Sequence, residues 1–260
     1  MWRPEDVTVV ALTYGNHCDL IERCLESVWR TVSPHALPCI VGANAASEET
    51  LTYLRKRRRS GAIDALAVSR GNLGKNPMMR RLFDKVRTPL VWWFDDDTFL
   101  RREDVLEVFL DAANGSGSSV SMWGRLAFVR HVTDFGEPEA SLNFVRTASW
   151  YRGLPPPSWR PGGKGVFRFE GKESGDGRWF FVTGGVWMAR MDRLRQIHWP
   201  DPRLFRLAED VMLGEAMRQN RWAIQGIDCC GIAISAAERR GNDPDILDFI
   251  DDGAETVLFE

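Results

Sequence analysis

Apolar runs and helical periodicities alternate along the first hundred residues. Residues 7–12 form an unbroken apolar and β-branched run, the composition of a strand buried on both faces. Thr13-Tyr14-Gly15-Asn16 reads as a tight turn. Asp19 then caps a helix in which Leu20, Ile21, Cys24, Leu25 and Val28 recur at helical spacing. A second short strand at 38–41 ends in Gly42-Ala43-Asn44-Ala45-Ala46. Ser47 opens a helix carrying the basic run Arg55-Lys56-Arg57-Arg58-Arg59, best read as a solvated face. A third strand spans 65–68, and the Arg70–Pro77 stretch turns into a helix through Leu82 and Val86. The fourth strand, Val91-Trp92-Trp93-Phe94, follows a Thr88-Pro89 turn and stops at Asp95-Asp96-Asp97. Alternation at this pace predicts βαβ units with right-handed crossovers, hence an α/β fold around a mostly parallel central sheet flanked by helices.

After Asp97 the pattern changes. Residues 103–112 form an amphipathic helix, 114–118 a turn and 119–129 an extended strand. From about 131 to 177 periodicity is lost in a stretch holding Pro155-Pro156-Pro157, Trp150, Tyr151 and Trp159. A loop this long inside a compact domain is usually a lid or a binding loop. Residues 179–182 read as a strand entering Thr183-Gly184-Gly185, and 186–197 as a short strand and helix. Glu209-Asp210 opens a helix with Val211, Leu213 and Met217, and 222–227 is a last strand before a polar, then acidic, tail. The expected organisation is a single domain over 1–260. Its donor half is 7–100, its acceptor half 101–228 with an irregular insertion at 131–177, and its C-terminal tail 229–260.

Composition narrows the class. At 260 residues and 44% hydrophobic, the chain suits one large α/β domain. A formal net charge of −2 gives no global electrostatic case for nucleic acid or anionic membrane. Five cysteines without a C-x-x-C pair look like reduced thiols, not a disulfide framework or a zinc site. The first residues lack the apolar core of a signal peptide, and no apolar run approaches a bilayer's thickness. A soluble, cytoplasmic protein is expected, with peripheral membrane contact left open.

The chemistry concentrates at the acid triplet. Three adjacent carboxylates at a strand's carboxyl end repel one another, and a hard divalent cation relieves that. Open α/β sheets bind ligands at those strand ends. A metal–diphosphate site at Asp95 and Asp97 is one reading; an acidic turn capping the helix near Glu103 is the other.

Five short motifs then occur in a familiar order: Val9-Val10-Ala11-Leu12-Thr13-Tyr14 with Cys24-Leu25-Glu26-Ser27, Asn72-Leu73-Gly74, Asp95-Asp96-Asp97, Thr183-Gly184-Gly185 and Glu209-Asp210. Together, over about 7–228, they resemble glycosyltransferases of the GT-A fold, closest in layout to family 2. Asp95-Asp96-Asp97-Thr98-Phe99 and Glu209-Asp210-Val211 with Gly214 are also similar to the β-1,3-galactosyltransferases, which share the fold. The resemblance implies a nucleotide-diphosphate sugar donor, a UDP-sugar by family with GDP or dTDP as alternatives, and Mn²⁺ or Mg²⁺ as cofactor. It implies Asp97 and Asp95 as metal ligands and Asp210 as general base, with Glu209 orienting the acceptor or the base. Thr13, Tyr14, Asn44, Asn72, Lys75, Arg80, Asp95 and Asp96 are candidate donor contacts. Gly184, Gly185 and Trp187 are candidate acceptor contacts, with Trp150 and Trp159 as further candidate sugar platforms. For Lys75, Arg70 and Arg80 a solvated surface charge is the competing reading, and for each tryptophan core packing. The acceptor is left open among a glycan, a lipid-linked sugar, a small molecule, a protein and modified DNA.

Two departures stand out. Family 2 usually has an aspartate and an asparagine after its second strand, the aspartate holding the base; here the pair is Ala43-Asn44. No histidine follows His198 to serve as a late metal ligand. These support a competing reading as a non-catalytic carbohydrate-binding or scaffold protein. A sugar-1-phosphate nucleotidyltransferase is disfavoured, because the first turn lacks a glycine-rich basic run.

Overall fold

The computed structural model describes residues 1–32, 36–130, 160–163, 165–167, 178–200, 209–228, 231–235 and 257–260. In chain order these form β1 (Val7–Gly15), α1 (Cys18–Thr31), β2 (Cys39–Ala46), α2 (Glu48–Arg59), β3 (Ala65–Ser69), α3 (Lys75–Phe83), β4 (Leu90–Asp95), β5 (Thr98–Leu100), α4 (Val105–Gly115), β6 (Val120–Arg130), β7 (Arg160–Gly163), β8 (Gly165–Phe167), β9 (Arg178–Arg190), α5 (Met191–Gln196), α6 (Glu209–Gln219), β10 (Ala223–Gly226), β11 (Ile232–Ile234) and β12 (Val257–Phe259).

Among the described residues ten strands share one sheet, in the order β12-β3-β2-β1-β4-β9-β6-β10-β8, with β7 beside β6. The run β3-β2-β1-β4 is parallel, as the βαβ pattern predicts. Strand β9 lies antiparallel to both β4 and β6 and joins the two halves of the sheet. Alternation along the strands sends side chains to two faces, and helices cover both. Val9, Ala11, Trp92 and Phe94 pack with Ile21, Leu25, Leu54 and Phe109 of α1, α2 and α4. Val10, Leu12, Val91 and Trp93 pack with Met78, Leu82, Leu194, Leu213 and Met217 of α3, α5 and α6. Burial on both faces explains why β4 carries no alternating polar residue before Asp95.

The first two strands run further than their turn residues predict. Residues 13–15 extend β1 and 42–46 extend β2, because the parallel ladder continues through Thr13 opposite Ala43 and Tyr14 opposite Asn44. The irregularity falls at the very end, where Gly15 and Ala45 take positive φ. Ala43 is therefore a fully buried mid-strand residue in the α1–α2–α4 core, not the exposed end of a strand.

Three further expectations change. Thr183-Gly184-Gly185 does not separate two strands but forms the middle of the continuous β9. The acid triplet does not cap a helix: β5 intervenes, and α4 begins only at Val105. The tail is not simply a polar end. Its β11 pairs with β5, and its β12 adds an antiparallel edge strand to β3. The basic face of α2 then meets the chain end and α1: Arg55 pairs with the Glu260 carboxylate at 2.8 Å, and Arg57 pairs with Glu26 of α1 and lies over the Trp29 and Tyr53 rings. Most of the insertion, with Trp150 and Trp159, lies outside the described residues.

Candidate active site

Strand β4 delivers the acids. Its last residue, Asp95, lies opposite Leu12 of β1, so the triplet emerges at the carboxyl end of the parallel half. The three carboxylates part company there. Asp95 Oδ1 accepts from the Trp93 indole N–H at 2.9 Å, and its Oδ2 accepts from Lys75 Nζ at 2.9 Å. Asp96 turns inward, is 1% exposed, and accepts from the Thr13 hydroxyl at 2.8 Å. Asp97 is buried just before β5, and its carbonyl accepts from Ser235 N at 2.7 Å. The same acids, after burial itself, push the Cys24 thiol well above its ordinary value, so it stays protonated beneath them.

Asn44 positions Lys75 from a distance. Its side chain is almost wholly buried at the end of β2. Its amide donates to Asn72 Oδ1 at 2.8 Å and to the Gly74 carbonyl, and its oxygen accepts from Leu73 N at 2.9 Å. Asn72 Oδ1 also accepts from Gly74 N at 2.9 Å. The turn closes on Gly74, whose φ of 81° suits glycine. Helix α3 starts at the next residue, which is how Lys75 comes to face the acids.

Lys75 joins the two sides of the site. Its ammonium donates to Asp95 and also to Glu209, the first residue of α6. Burial alone would lower its pKa, but Asp95 and Glu209 outweigh that and raise it, so Lys75 is held charged. Asp210 follows Glu209 and is half-buried; one of its carboxylate oxygens, Oδ2, accepts from Gly184 N at 3.1 Å. A Cβ on Gly184 would lie 3.1 Å from Glu209 Oε1, 3.4 Å from Lys75 Nζ and 3.7 Å from Asp210 Oδ2. Room for a side chain is short at this position because charged groups from α3 and α6 crowd over the backbone of β9.

The other predicted residues fall elsewhere. Gly185 faces Thr98 and Ile234, where a Cβ would come within 2.8 Å of the Thr98 hydroxyl. Trp187 is 2% exposed; it stacks on Trp93 at 5.9 Å and meets the edge of Phe83. Its ring faces are thus spent on core packing. Arg80 donates to the carbonyls of His198 and Pro200, away from the acids. Arg70 is exposed. Tyr14 is half-buried at the end of β1, edge-on to His17. Sequence reasoning missed the 231–235 segment, which runs along β5 directly after the acids. Its signal is the short apolar run Ile232-Ala233-Ile234.

The donor set is chemically suited to Mg²⁺ or Mn²⁺, being hard carboxylate oxygen. Among the described residues no group of three or more His, Cys, Asp or Glu side chains is arranged to hold a metal by itself. The cluster already holds one positive charge, the Lys75 ammonium between Asp95 and Glu209. Asp97 and Asp95 are the residues that could hold such an ion.

No protein-family model matches the sequence, and no curated protein matches it. Solved structures do. A Pyrobaculum calidifontis mannosyltransferase in complex with GDP-Man and Mn²⁺ matches with a TM-score of 0.55 at 14% identity, over 86% of this chain and 56% of its own. S. aureus TarS 1–349 matches at 0.53 and 14% identity, over 85% and 57%. The same TarS fragment in complex with UDP-GlcNAc matches at 0.52 and 16% identity, over 85% and 55%. The chain has the GT-A fold. It spans a little over half the length of these glycosyltransferases. Among the described residues no helix is long and apolar enough to cross a membrane.

Proposed function

We propose that the chain is a metal-dependent, inverting glycosyltransferase with a family 2 layout. It would move a sugar from a nucleotide-diphosphate donor to an acceptor hydroxyl. The observation that carries this reading is the meeting of Asp95 and Glu209 on one lysine, with Asp210 beside them on Gly184. Residues 7–100 would bind the donor and 101–228 the acceptor. The fold neighbours support the donor class: one is a complex with GDP-Man and Mn²⁺, another with UDP-GlcNAc. A UDP-sugar is the first choice here, with GDP- and dTDP-sugars next. Free thiols at Cys18, Cys24 and Cys39 support a reducing, cytoplasmic setting.

The chain's residues divide the work. Asp97 and Asp95 would hold a divalent cation and, through it, the diphosphate; when bound, the cation would supply Lewis-acid neutralisation of charge growing on the leaving group. Trp93 and Thr13 lock the rotamers of Asp95 and Asp96 from below. Asp210 takes the acceptor's proton as its oxygen attacks the anomeric carbon, and Gly184 N–H keeps that carboxylate in place. Attack opposite the leaving diphosphate inverts the configuration. Glu209, tied to Lys75, orients the acceptor and fixes α6 against the donor side.

The test is thermal stability against UDP-, GDP-, dTDP- and CMP-sugars, each with and without Mn²⁺. A ligand that binds only the folded state raises its melting temperature. A shift with one nucleotide class that needs metal and disappears in Asp97→Asn is expected. With that donor, Asp210→Asn should lower turnover by about 10²–10⁴-fold while the protein melts normally. A well-folded protein that responds to no donor would instead favour the scaffold reading.

A further inference from the structure

Asp95 is fully engaged. The Trp93 indole holds its Oδ1 at 2.9 Å, and Lys75 Nζ lies 2.9 Å from both Oδ1 and Oδ2. Asp96 is committed to Thr13 and is closed to solvent. No preformed group of three carboxylate, imidazole or thiol ligands exists among the described residues. A cation arriving at Asp95 therefore has to exchange with a group already bound there. Of the two groups, the indole belongs to a fully buried core residue of the same strand. Lys75 is different: its side chain is 24% exposed and grows from the first residue of α3, just after Gly74. An ammonium on a flexible four-carbon stem is also a compact point charge, readily exchanged.

We propose that Lys75 is a tethered cation that holds the metal's place on Asp95 in the donor-free protein. A divalent ion would gain that carboxylate only by displacing it. The inference rests on the reading of Asp95 and Asp97 as the donor-side pair, and it specifies how that site is kept until donor arrives. Two cations on one carboxylate repel each other, and the repulsion is strong where water is scarce. Metal alone must overcome that repulsion and break the Lys75–Asp95 bond. A nucleotide diphosphate brings negative charge that compensates both cations, leaving Lys75 tethered to Glu209 beside the metal. Metal and donor then bind with positive coupling, each tightening the other by the same factor.

The experiment measures Mn²⁺ binding without nucleotide, by the electron paramagnetic resonance signal of free Mn²⁺, in the full chain. Wild type, Lys75→Met, Asp95→Asn and the double variant form a cycle. Lys75→Met should bind Mn²⁺ at least tenfold more tightly than wild type. Asp95→Asn should change binding less than threefold in wild type, where Lys75 holds that carboxylate, but cost at least tenfold in the Lys75→Met background. That coupling separates displacement from a general gain in negative charge, which would leave the two substitutions additive. Near-ultraviolet circular dichroism checks folding; if Lys75→Met does not fold, Lys75→Gln keeps the length and polarity without the charge. Equal Mn²⁺ affinity in wild type and the Lys75 variant overturns the inference, and so does additivity. If donors give a metal-dependent melting shift while the cycle is additive, only the role of Lys75 falls. If no variant binds Mn²⁺ with or without nucleotide sugars, the donor-site reading falls as well.

Discussion

Replacing Gly184 with alanine tests whether the crowding over β9 serves catalysis or only packing. The position lies inside a strand, so an alanine fits the backbone. The new methyl would sit 3.1 Å from Glu209 Oε1, which must retreat by a few tenths of an ångström, and in contact with Lys75 Nζ at 3.4 Å. Overpacking of this size costs about 1 kcal/mol. Losing glycine's freedom in the unfolded chain returns about 0.4–1 kcal/mol. The net change in stability should stay within about 1 kcal/mol, a melting shift of no more than about 4 °C for a chain of this size. Catalysis is less forgiving, since a misplacement of about 1 Å can cost about 100-fold. Moving Glu209 and Lys75 by a fraction of that should lower kcat/KM about tenfold, read as nucleotide diphosphate released from the donor that the melting panel selects. Gly124→Ala is the control. Its methyl would lie 2.4 Å from Val182 Cγ1 and 3.2 Å from the Val186 carbonyl, inside the sheet core. It should lose about 1–3 kcal/mol of stability while turnover per folded molecule holds. A Gly184→Ala protein with kcat/KM within twofold of wild type and an unchanged melting point would refute the reasoning.

Other outcomes follow from the same packing. Trp187→Ala should cost about 3–5 kcal/mol in urea unfolding, as loss of a buried ring does; an unchanged midpoint with a raised acceptor KM would make the ring a sugar platform after all. Asn44→Ala strands the Leu73 amide and releases the turn before α3, costing about 1–3 kcal/mol and speeding amide exchange at Leu73 and Gly74; unchanged exchange there would mean the turn stands without it. Burial pushes the Cys39 thiol from 9.0 up to about 12. The folded state then holds that proton more tightly, so the stability it contributes is complete below about pH 9 and drains away as pH climbs towards 12. Native protein at pH 8.5 should leave Cys39 unlabelled by iodoacetamide, and labelling at the unfolded rate would contradict its burial.

Much of residues 7–100 was legible because the signals there are local. Apolar runs flanked by amphipathic stretches specify buried strands and covering helices without reference to distant residues, and β1 through α3 appear in the predicted order. The acid triplet was visible because β4 carries no other charge before it. Element ends were read less well. Gly15 and Asn44 look like turn residues, yet the β1–β2 ladder runs past the predicted ends, because inter-strand hydrogen bonds outweigh a weak local preference. The same override joined the strands read on either side of Thr183-Gly184-Gly185 into the continuous β9.

By itself, then, the sequence determined the layer order, the strand carrying the acids and the helix opening at Glu209-Asp210. Those depend on periodicity and composition over a few residues. Tertiary structure alone decided which charges meet. Lys75 and Glu209 are 134 positions apart, and Thr13 and Asp96 are 83 apart. No periodicity links residues at such distances; the sheet order and the seating of α6 on β9 bring them together. Trp187 and Arg80 show the converse. By residue type both suited a substrate, but the packing of β9 on β4 and of α3 against the 198–200 turn had already used them.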